Sequence, residues 1–157
     1  NNEIKGRIAE LTGADCEEVW LVGQTKENAL NGYIASGEYP DFISTPIPLI
    51  ADSLHKILKK YQQNAIFDQV VLIEKDTRTQ KVYYMMIPPS LECADKGKTT
   101  YDNAGNILEF VLDAESVGRN RIFRVSELKN QIAVRLDVAE SLLRRDATGI
   151  WFEPLKQ

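Results

Sequence analysis

The sequence predicts an α+β fold, a single domain in which a mixed or mainly antiparallel sheet is flanked by two or more helices. Short β-rich runs alternate with two amphipathic segments, near 48–62 and 137–147, without the regular βαβ rhythm of a doubly wound fold. The chain has 157 residues, of which 43% are hydrophobic and 27% charged, a composition typical of one globular core. Residues 1–157 are therefore assigned to one domain.

The first third of the chain predicts two short helices, a strand and a loop. The run EIKGRIAEL has apolar residues at helical spacing, and EEVWLVGQ has the composition of a strand. Thr25 suits the start of a second short helix. Residues 36–45 are rich in turn-forming and aromatic residues, which predicts a loop.

The central third predicts a helix and a hairpin. In PLIADSLHKILKKYQQ, Pro48 suits the first helical turn and the apolar residues form one stripe. His55 falls outside that stripe, which predicts a solvated side chain. FDQVVLIEK and QKVYYMMIPP are β-rich runs around the polar DTRT and predict a hairpin. The stripe consists of Leu49, Ile50, Leu54, Ile57, Leu58 and Tyr61.

The last third predicts a turn at 103–105, the strand ILEFVLD, and then a fold-completing unit. RIFRV and QIAVR are alternating strands joined by SELKN, and DVAESLLRRDA is a helix. Asp137 and Glu140 are spaced like a capping pair, Thr148 and Gly149 end the helix, and IWF starts a closing strand that the fold needs. The predicted core residues of this unit are Ile122, Val125, Ile132, Val134, Leu142, Leu143, Ile150 and Phe152.

Charge is unevenly distributed along the chain. The net charge is −4, but residues 119–145 hold seven basic and three acidic side chains, whereas residues 1–55 hold nine acidic and three basic ones. The acidic part would repel phosphate and attract a basic protein, so direct nucleic-acid binding is not expected. No apolar run approaches the length of a membrane span, and no basic-then-apolar leader opens the sequence, which predicts a soluble protein without membrane attachment.

The reactive side chains form no recognisable catalytic motif. Cys16 and Cys93 are far apart without CxxC spacing, as in reduced cytosolic proteins, and His55 is the only histidine, so neither metal nor cofactor is predicted. Sequence signatures of acyl transfer, nucleotide binding and zinc hydrolysis are missing. The sequence therefore favours a protein that is not an enzyme. The alternative is a small hydrolase-like enzyme that uses carboxylates, or Cys93 with His55; a thiol close to Asp95 and Lys98 can act as a nucleophile.

Several segments in order resemble bacterial immunity proteins of polymorphic toxin systems, related to an uncharacterised domain common in myxobacterial genomes. The segments are IPLIADSLHKIL, YYMMIPP, ADKGKT, ILEFVLD, IFRV and LLRRDATGIWFEPL. The resemblance covers roughly residues 45–155, and residues 1–44 are unassigned. Asp95 matches a mid-domain aspartate of that family, but Lys98 and Thr99 stand where the family often has a serine. The terminal match consists of Thr148, Gly149, Ile150, Phe152 and Pro154.

The resemblance implies a cytoplasmic protein that binds and neutralises a cognate toxin, such as a basic nuclease, without catalysis. It carries no toxin-binding residues that can be transferred to this chain. The acidic N-terminal half and the loop at 36–45 are therefore the predicted contact surface, because their charge and aromatic rings suit a basic partner. The alternative is that this loop is only a surface connection and that the matched C-terminal unit makes the contact. The predicted contact residues are Glu17, Glu18, Glu38, Tyr39, Asp41 and Phe42.

Overall fold

A computed structural model of the chain describes residues 18–24, 39–44 and 47–157. The two short helices predicted in the first third lie outside these ranges. Eleven strands and three α-helices occur in the described part of the chain, together with a 3-10 turn at Ser126–Leu128. The strands are β1 Val19–Gln24, β2 Phe42–Ile43, β3 Leu49–Ala51, β4 Ile66–Ile73, β5 Gln80–Ile87, β6 Ser90–Leu91, β7 Thr100–Tyr101, β8 Ile107–Glu109, β9 Ile122–Val125, β10 Gln131–Arg135 and β11 Ile150–Pro154. The helices are α1 Asp52–Tyr61, α2 Ala114–Val117 and α3 Leu136–Arg144.

The described strands form three sheets, which are mostly antiparallel. The five-stranded sheet has the order β11-β1-β10-β9-β6, in which only the β6–β9 pair is parallel. The four-stranded sheet has the order β2-β3-β5-β4, and β7 pairs with β8 in a small separate hairpin. The predicted α+β class is confirmed, and so are the β4–β5 and β9–β10 pairings.

Two hydrophobic cores cover the two faces of the five-stranded sheet. The larger core joins that sheet to α1, α3 and the four-stranded sheet, and the smaller core contains side chains from β1, β9, β10 and the segments around Cys93 and Leu112. Strand β1 alternates between them: Trp20 and Val22 belong to the larger core, and Val19 and Leu21 to the smaller. A strand buried on both faces needs the continuous hydrophobic run that VWLV provides.

A buried amide also connects the two large sheets. Gln62 follows α1, and its Oε1 accepts hydrogen bonds from the backbone N–H groups of Arg121 (2.8 Å) and Ile122 (3.2 Å). Its Nε2 donates to Asn120 Oδ1 at 2.9 Å. These bonds fix the end of α1 against the start of β9, because a buried amide must satisfy its donors and acceptors.

Residues 49–51 differ from their prediction, because they form β3 and not the first turn of a helix. Ile50 pairs with Phe42 on one side and with Tyr84 on the other, and α1 begins only at Asp52. All three β3 residues are buried. A short run of adjacent apolar residues is compatible with a central strand as well as with a helix. Pairing with the strands on either side favours the strand here.

The ends of α3 also differ from their prediction. The helix starts at Leu136 without a side-chain cap, and Glu140 pairs with Arg144 at 3.0 Å, so the predicted capping pair does not form. The helix ends at Arg144, before Thr148 and Gly149. Gly149 lies in the loop between α3 and β11, where its φ is +76° and a Cβ would approach Pro40 Cβ to 2.7 Å. Glycine is the residue that adopts this backbone conformation without strain.

The predicted core of the C-terminal unit is confirmed, since all eight residues are buried. Most of them belong to the larger core, whereas Val125 belongs to the smaller one. Strand β11 pairs antiparallel with β1 along its whole length, from Ile150 opposite Gln24 to Pro154 opposite Trp20.

None of the helices in the described ranges is long and apolar enough to cross a membrane.

Trp151 is packed directly over Gly23 on the neighbouring strand. The two residues are opposite each other, and the indole Nε1 donates to Gln24 O at 2.8 Å. A Cβ on Gly23 would overlap the indole ring and lie 2.7 Å from its nitrogen. Glycine is therefore required at this position by the close approach of an aromatic ring across the strands.

Gly23→Ala is expected to lower the free energy of unfolding by about 1–3 kcal/mol, because the added methyl group displaces Trp151 and overpacks the sheet. The matched control is Gly97→Ala, where the new Cβ meets only Asp95 Oδ1 at 3.5 Å; its effect should stay within about 0.5 kcal/mol. Urea unfolding monitored by tryptophan fluorescence measures both. Equal losses in the two variants would contradict the role assigned to the Trp151 contact.

Candidate functional site

An open groove of about 880 Å³ lies beside the segment that leads from β6 to α2. It contains four carboxylates, one ammonium group and one large exposed aromatic ring, that of Tyr101, which is 46% exposed. Backbone hydrogen bonds join its two sides: Asp95 N donates to Val111 O at 2.7 Å, and Asp113 N to Cys93 O at 2.8 Å. The groove is lined by Glu92, Ala94, Asp95, Lys96, Gly97, Tyr101, Asp113, Ser126 and Glu127.

Glu127 holds one wall of this groove in place. Its Oε2 accepts hydrogen bonds from the backbone N–H groups of Cys93 (2.9 Å) and Ala94 (2.5 Å), and its Oε1 accepts one from Ser126 Oγ at 2.7 Å. Burial raises the pKa of Glu127, but the hydrogen bonds from Ser126 and from backbone N–H groups outweigh burial and hold the pKa below its ordinary value. Glu127 therefore stays ionised at neutral pH and acts as a structural acceptor.

Cys93 does not have the environment of a nucleophile. The side chain is buried in the smaller core, and burial, followed by the negative charges of Glu127 and Asp113, raises its pKa to about 12. A cysteine nucleophile reacts as the thiolate, which this environment disfavours at neutral pH. The nearby Asp95 and Lys98 form their own turn: Asp95 Oδ1 accepts from Gly97 N at 3.0 Å, and Oδ2 lies 3.7 Å from Lys98 Nζ.

His55 is not the solvated residue that the helical stripe predicts. Its side chain is only 16% exposed, and its ring stacks on Tyr84 with the ring centroids 3.7 Å apart. Nδ1 lies 2.8 Å from Asp52 O, within the same helix. The ring covers the four-stranded sheet, whereas Cys93 lies beneath the five-stranded sheet, so the two residues proposed for an enzymatic alternative do not share a site.

The six predicted contact residues occupy different kinds of position. Glu17 and Glu38 lie outside the described residues, and Glu18 is half-buried, its carbonyl accepting from Leu136 N at 2.9 Å. Tyr39 is half-buried beneath Lys81, whose Nζ lies 5.9 Å from the ring centroid.

Asp41 and Phe42 make internal contacts. The Asp41 carboxylate accepts from Thr148 N at 2.8 Å and so joins the loop before β2 to the loop before β11. Phe42 is 3% exposed and lies in the larger core, so its ring is not accessible to a partner.

The groove around Tyr101 is the surface that the sequence analysis missed. Residues 92–115 hold six acidic side chains and two lysines, a local charge of −4, which is a higher density of negative charge than the −6 spread over residues 1–55. The β7–β8 hairpin places Tyr101 at the groove and leaves Leu108 exposed. A charge count over this window could have identified the acidic segment, but the exposure of Tyr101 depends on how the hairpin packs.

Comparisons of the chain with protein-family models, curated proteins and solved structures gave no match. Within the described residues, no group of three or more histidine, cysteine, aspartate or glutamate side chains is arranged to hold a metal ion. The site is thus defined by its own geometry: an acidic groove with an exposed tyrosine and a wall fixed by a half-buried, hydrogen-bonded carboxylate. Such a surface is suited to binding a basic protein, because aromatic anchors and complementary charge are the features of specific interfaces.

Glu127→Gln is expected to lower the free energy of unfolding at pH 7 by about 1–2 kcal/mol, because the backbone N–H groups of Cys93 and Ala94 lose a charged acceptor. The lowered pKa of Glu127 means that its contribution is present above the ordinary value of 4.5 and is lost as the pH falls through the folded-state value. The difference between wild type and variant should therefore shrink below pH 4.5. Urea unfolding at pH 7, 5 and 3.5 measures this change.

Glu115→Gln is the control for that experiment, because it removes a nearby carboxylate that is exposed. Its effect on stability should be small at every pH. A stability difference for Glu127→Gln that stayed constant from pH 7 to 3.5 would show that the carboxylate charge does not hold the wall.

Proposed function

We propose that this chain is an immunity protein, which binds a cognate bacterial toxin in the cytoplasm and neutralises it without catalysis. The observation that carries the proposal is the acidic groove beside the exposed ring of Tyr101. The resemblance of residues 45–155 to immunity proteins supports the same function. The burial of Cys93 and the separation of Cys93 from His55 weigh against the enzymatic alternative.

The groove is the contact surface that we favour for the toxin. Asp113 caps α2 and Asp95 holds its own turn, so these carboxylates are fixed before a partner arrives. A prearranged surface loses little conformational entropy on binding. A basic toxin surface, such as that of a nuclease, would complement the charge, and Tyr101 would provide the buried anchor. The N-terminal acidic residues and Tyr39 form the alternative surface.

Co-expression with the product of the neighbouring gene tests the function itself. If that product is a toxin, growth should be restored and the two proteins should elute as one complex in size-exclusion chromatography. A toxic neighbour that this chain neither neutralises nor binds would refute the proposal.

Charge reversal tests the location of the surface. Glu92→Lys with Glu115→Lys adds positive charge in the groove and on α2, which follows the groove residue Asp113; both substituted residues are exposed. Association with a basic toxin should slow by about tenfold or more at low salt and less at high salt, because steering by charge is screened. The control is Asp76→Lys with Glu153→Lys, which gives the same net charge on exposed residues elsewhere. Stopped-flow kinetics measures the association rate of both double variants. Equal slowing would show that the net charge of the protein, and not the charge of the groove, controls association.

Tyrosine truncation separates the two candidate surfaces. Tyr101→Ala should weaken toxin binding by about 1–3 kcal/mol if the ring is a central anchor, and Tyr101→Phe should keep most of the affinity. Tyr39→Ala is the matched change on the N-terminal surface. Weaker binding by Tyr39→Ala alone, in a variant that remains folded, would move the contact surface to the segment around Tyr39. Isothermal titration calorimetry measures the affinities.

A further inference from the structure

Strand β4 has an unprotected edge in the described part of the chain. It is the last strand of the four-stranded sheet and pairs with β5 over eight consecutive positions, from Ile66 opposite Ile87 to Ile73 opposite Gln80. Three of its apolar side chains are largely in solvent: Ile66 is 55% exposed, Val71 43% and Ile73 64%. Solvent is an unfavourable environment for so many large apolar groups on one strand.

The sequence of β4 has little of the usual protection of a sheet edge. Edge strands are commonly short, or carry proline, charged side chains such as lysine, or a bulge that prevents pairing with another chain. IFDQVVLI has eight residues without proline, glycine or lysine, and Asp68 is its only charge. Its register with β5 is continuous, so no bulge turns the edge away.

We propose that β4 pairs antiparallel with β4 of a second copy of this chain, which joins the two four-stranded sheets across a two-fold axis. The inference is independent of the proposed toxin binding. A two-fold axis perpendicular to the sheet leaves each face of the joined sheet on the same side in both copies. Residues opposite each other in neighbouring strands point to the same face, so the axis must pass between one residue of β4 and the same residue of the second copy. This condition leaves a small set of registers, and the side chains distinguish between them.

The register with Gln69 on the axis places an apolar residue opposite each exposed apolar residue of β4. Ile66 then lies opposite Leu72 of the second copy, Val71 opposite Phe67, and Ile73 opposite Ala65, whose side chain is already buried in its own copy. The two Gln69 amides meet at the axis, and the two Asp68 carboxylates do not face each other. Asp68 lies opposite an apolar residue of the second copy in both registers, Val70 in this one and Leu72 in the register with Val70 on the axis, so it does not distinguish them. With Val70 on the axis, however, Gln69 would lie opposite Val71 and Ile66 opposite Glu74. Cross-strand pairs of apolar residues stabilise a sheet, which favours the first register.

Charges at the ends of the strand fit the same register. Lys59 Nζ donates to Ala65 O at 2.7 Å and lies 5.6 Å from the centroid of the Phe67 ring, so the ammonium is held at the start of β4. Since Ala65 lies opposite Ile73 of the second copy, Glu74 of that copy comes next to Lys59. By symmetry, this pair of opposite charges occurs twice in the dimer.

Sedimentation velocity over about 5–500 µM tests the dimer. Pairing of one strand edge buries less than the roughly 1,200 Å² of a strong interface, so we expect a dissociation constant above about 10 µM. The weight-average mass should rise from the monomer value of 17.8 kDa toward twice that value. A chain that stays monomeric up to 500 µM would overturn the proposal.

A pair of lysine substitutions locates the interface. Val71→Lys should leave the fold intact, since Val71 is exposed, but should abolish association because the ammonium would be buried against Phe67 of the second copy. Leu108→Lys makes a similar change at an exposed residue of β8 and should leave association unchanged. Thermal unfolding confirms that both variants are folded. Association that survives Val71→Lys, as it would if another surface joined the two copies, overturns the proposal.

Cysteine cross-linking tests the register. Residues opposite each other in antiparallel strands have Cα atoms about 4.5–5.5 Å apart, which is within disulfide range. Gln69→Cys should therefore form a disulfide-linked dimer under mild oxidation, whereas wild type, which keeps Cys16 and Cys93, should not. Val70→Cys should cross-link poorly, since it is displaced from the axis. Efficient cross-linking of Val70→Cys alone would replace the proposed register, and failure of both variants would overturn the pairing.

Discussion

The burial of β1 on both faces is the constraint on which the rest of the structure depends. Its side chains enter both cores, while its backbone pairs with β10 on one edge and with β11 on the other. The last strand of the chain is thereby hydrogen-bonded to the first described one. Gly23 allows Trp151 to cover this junction, so a single position without a side chain permits the closest packing between the two strands.

The groove depends on the same sheet. Cys93 and Leu112 belong to the smaller core on one face of it, and the bridge between Ala94 and Leu112 aligns the two walls. Thr99 Oγ1 adds hydrogen bonds with the backbone of Val111 at 3.1 and 3.2 Å, and the Glu127 carboxylate accepts the backbone N–H groups of Cys93 and Ala94. The acidic side chains are thus displayed by a backbone that is already fixed, which suits recognition by binding.

The two surfaces proposed to bind partners use different elements. The groove is built from the segment between β6 and α2, and the exposed edge belongs to β4, with no residue in common. They also differ in chemistry: the groove combines carboxylates with one aromatic ring, whereas the edge combines unpaired strand backbone with aliphatic side chains. Binding of a basic partner and self-association can therefore be separated by substitutions that affect only one surface.

The sequence by itself determined the local elements whose signal is periodic: the hairpin of β4 and β5, the strands β1, β9 and β10, and the buried positions of the C-terminal unit. Alternation and hydrophobic runs are properties of neighbouring residues, so they can be recognised without knowledge of the fold. Only the tertiary structure decided that residues 49–51 form a strand, that His55 stacks on Tyr84 and that Phe42 is buried. It also decided that Tyr101 is exposed beside an acidic groove. These outcomes depend on contacts between residues distant in sequence, and no local pattern encodes which distant segment will cover a given side chain.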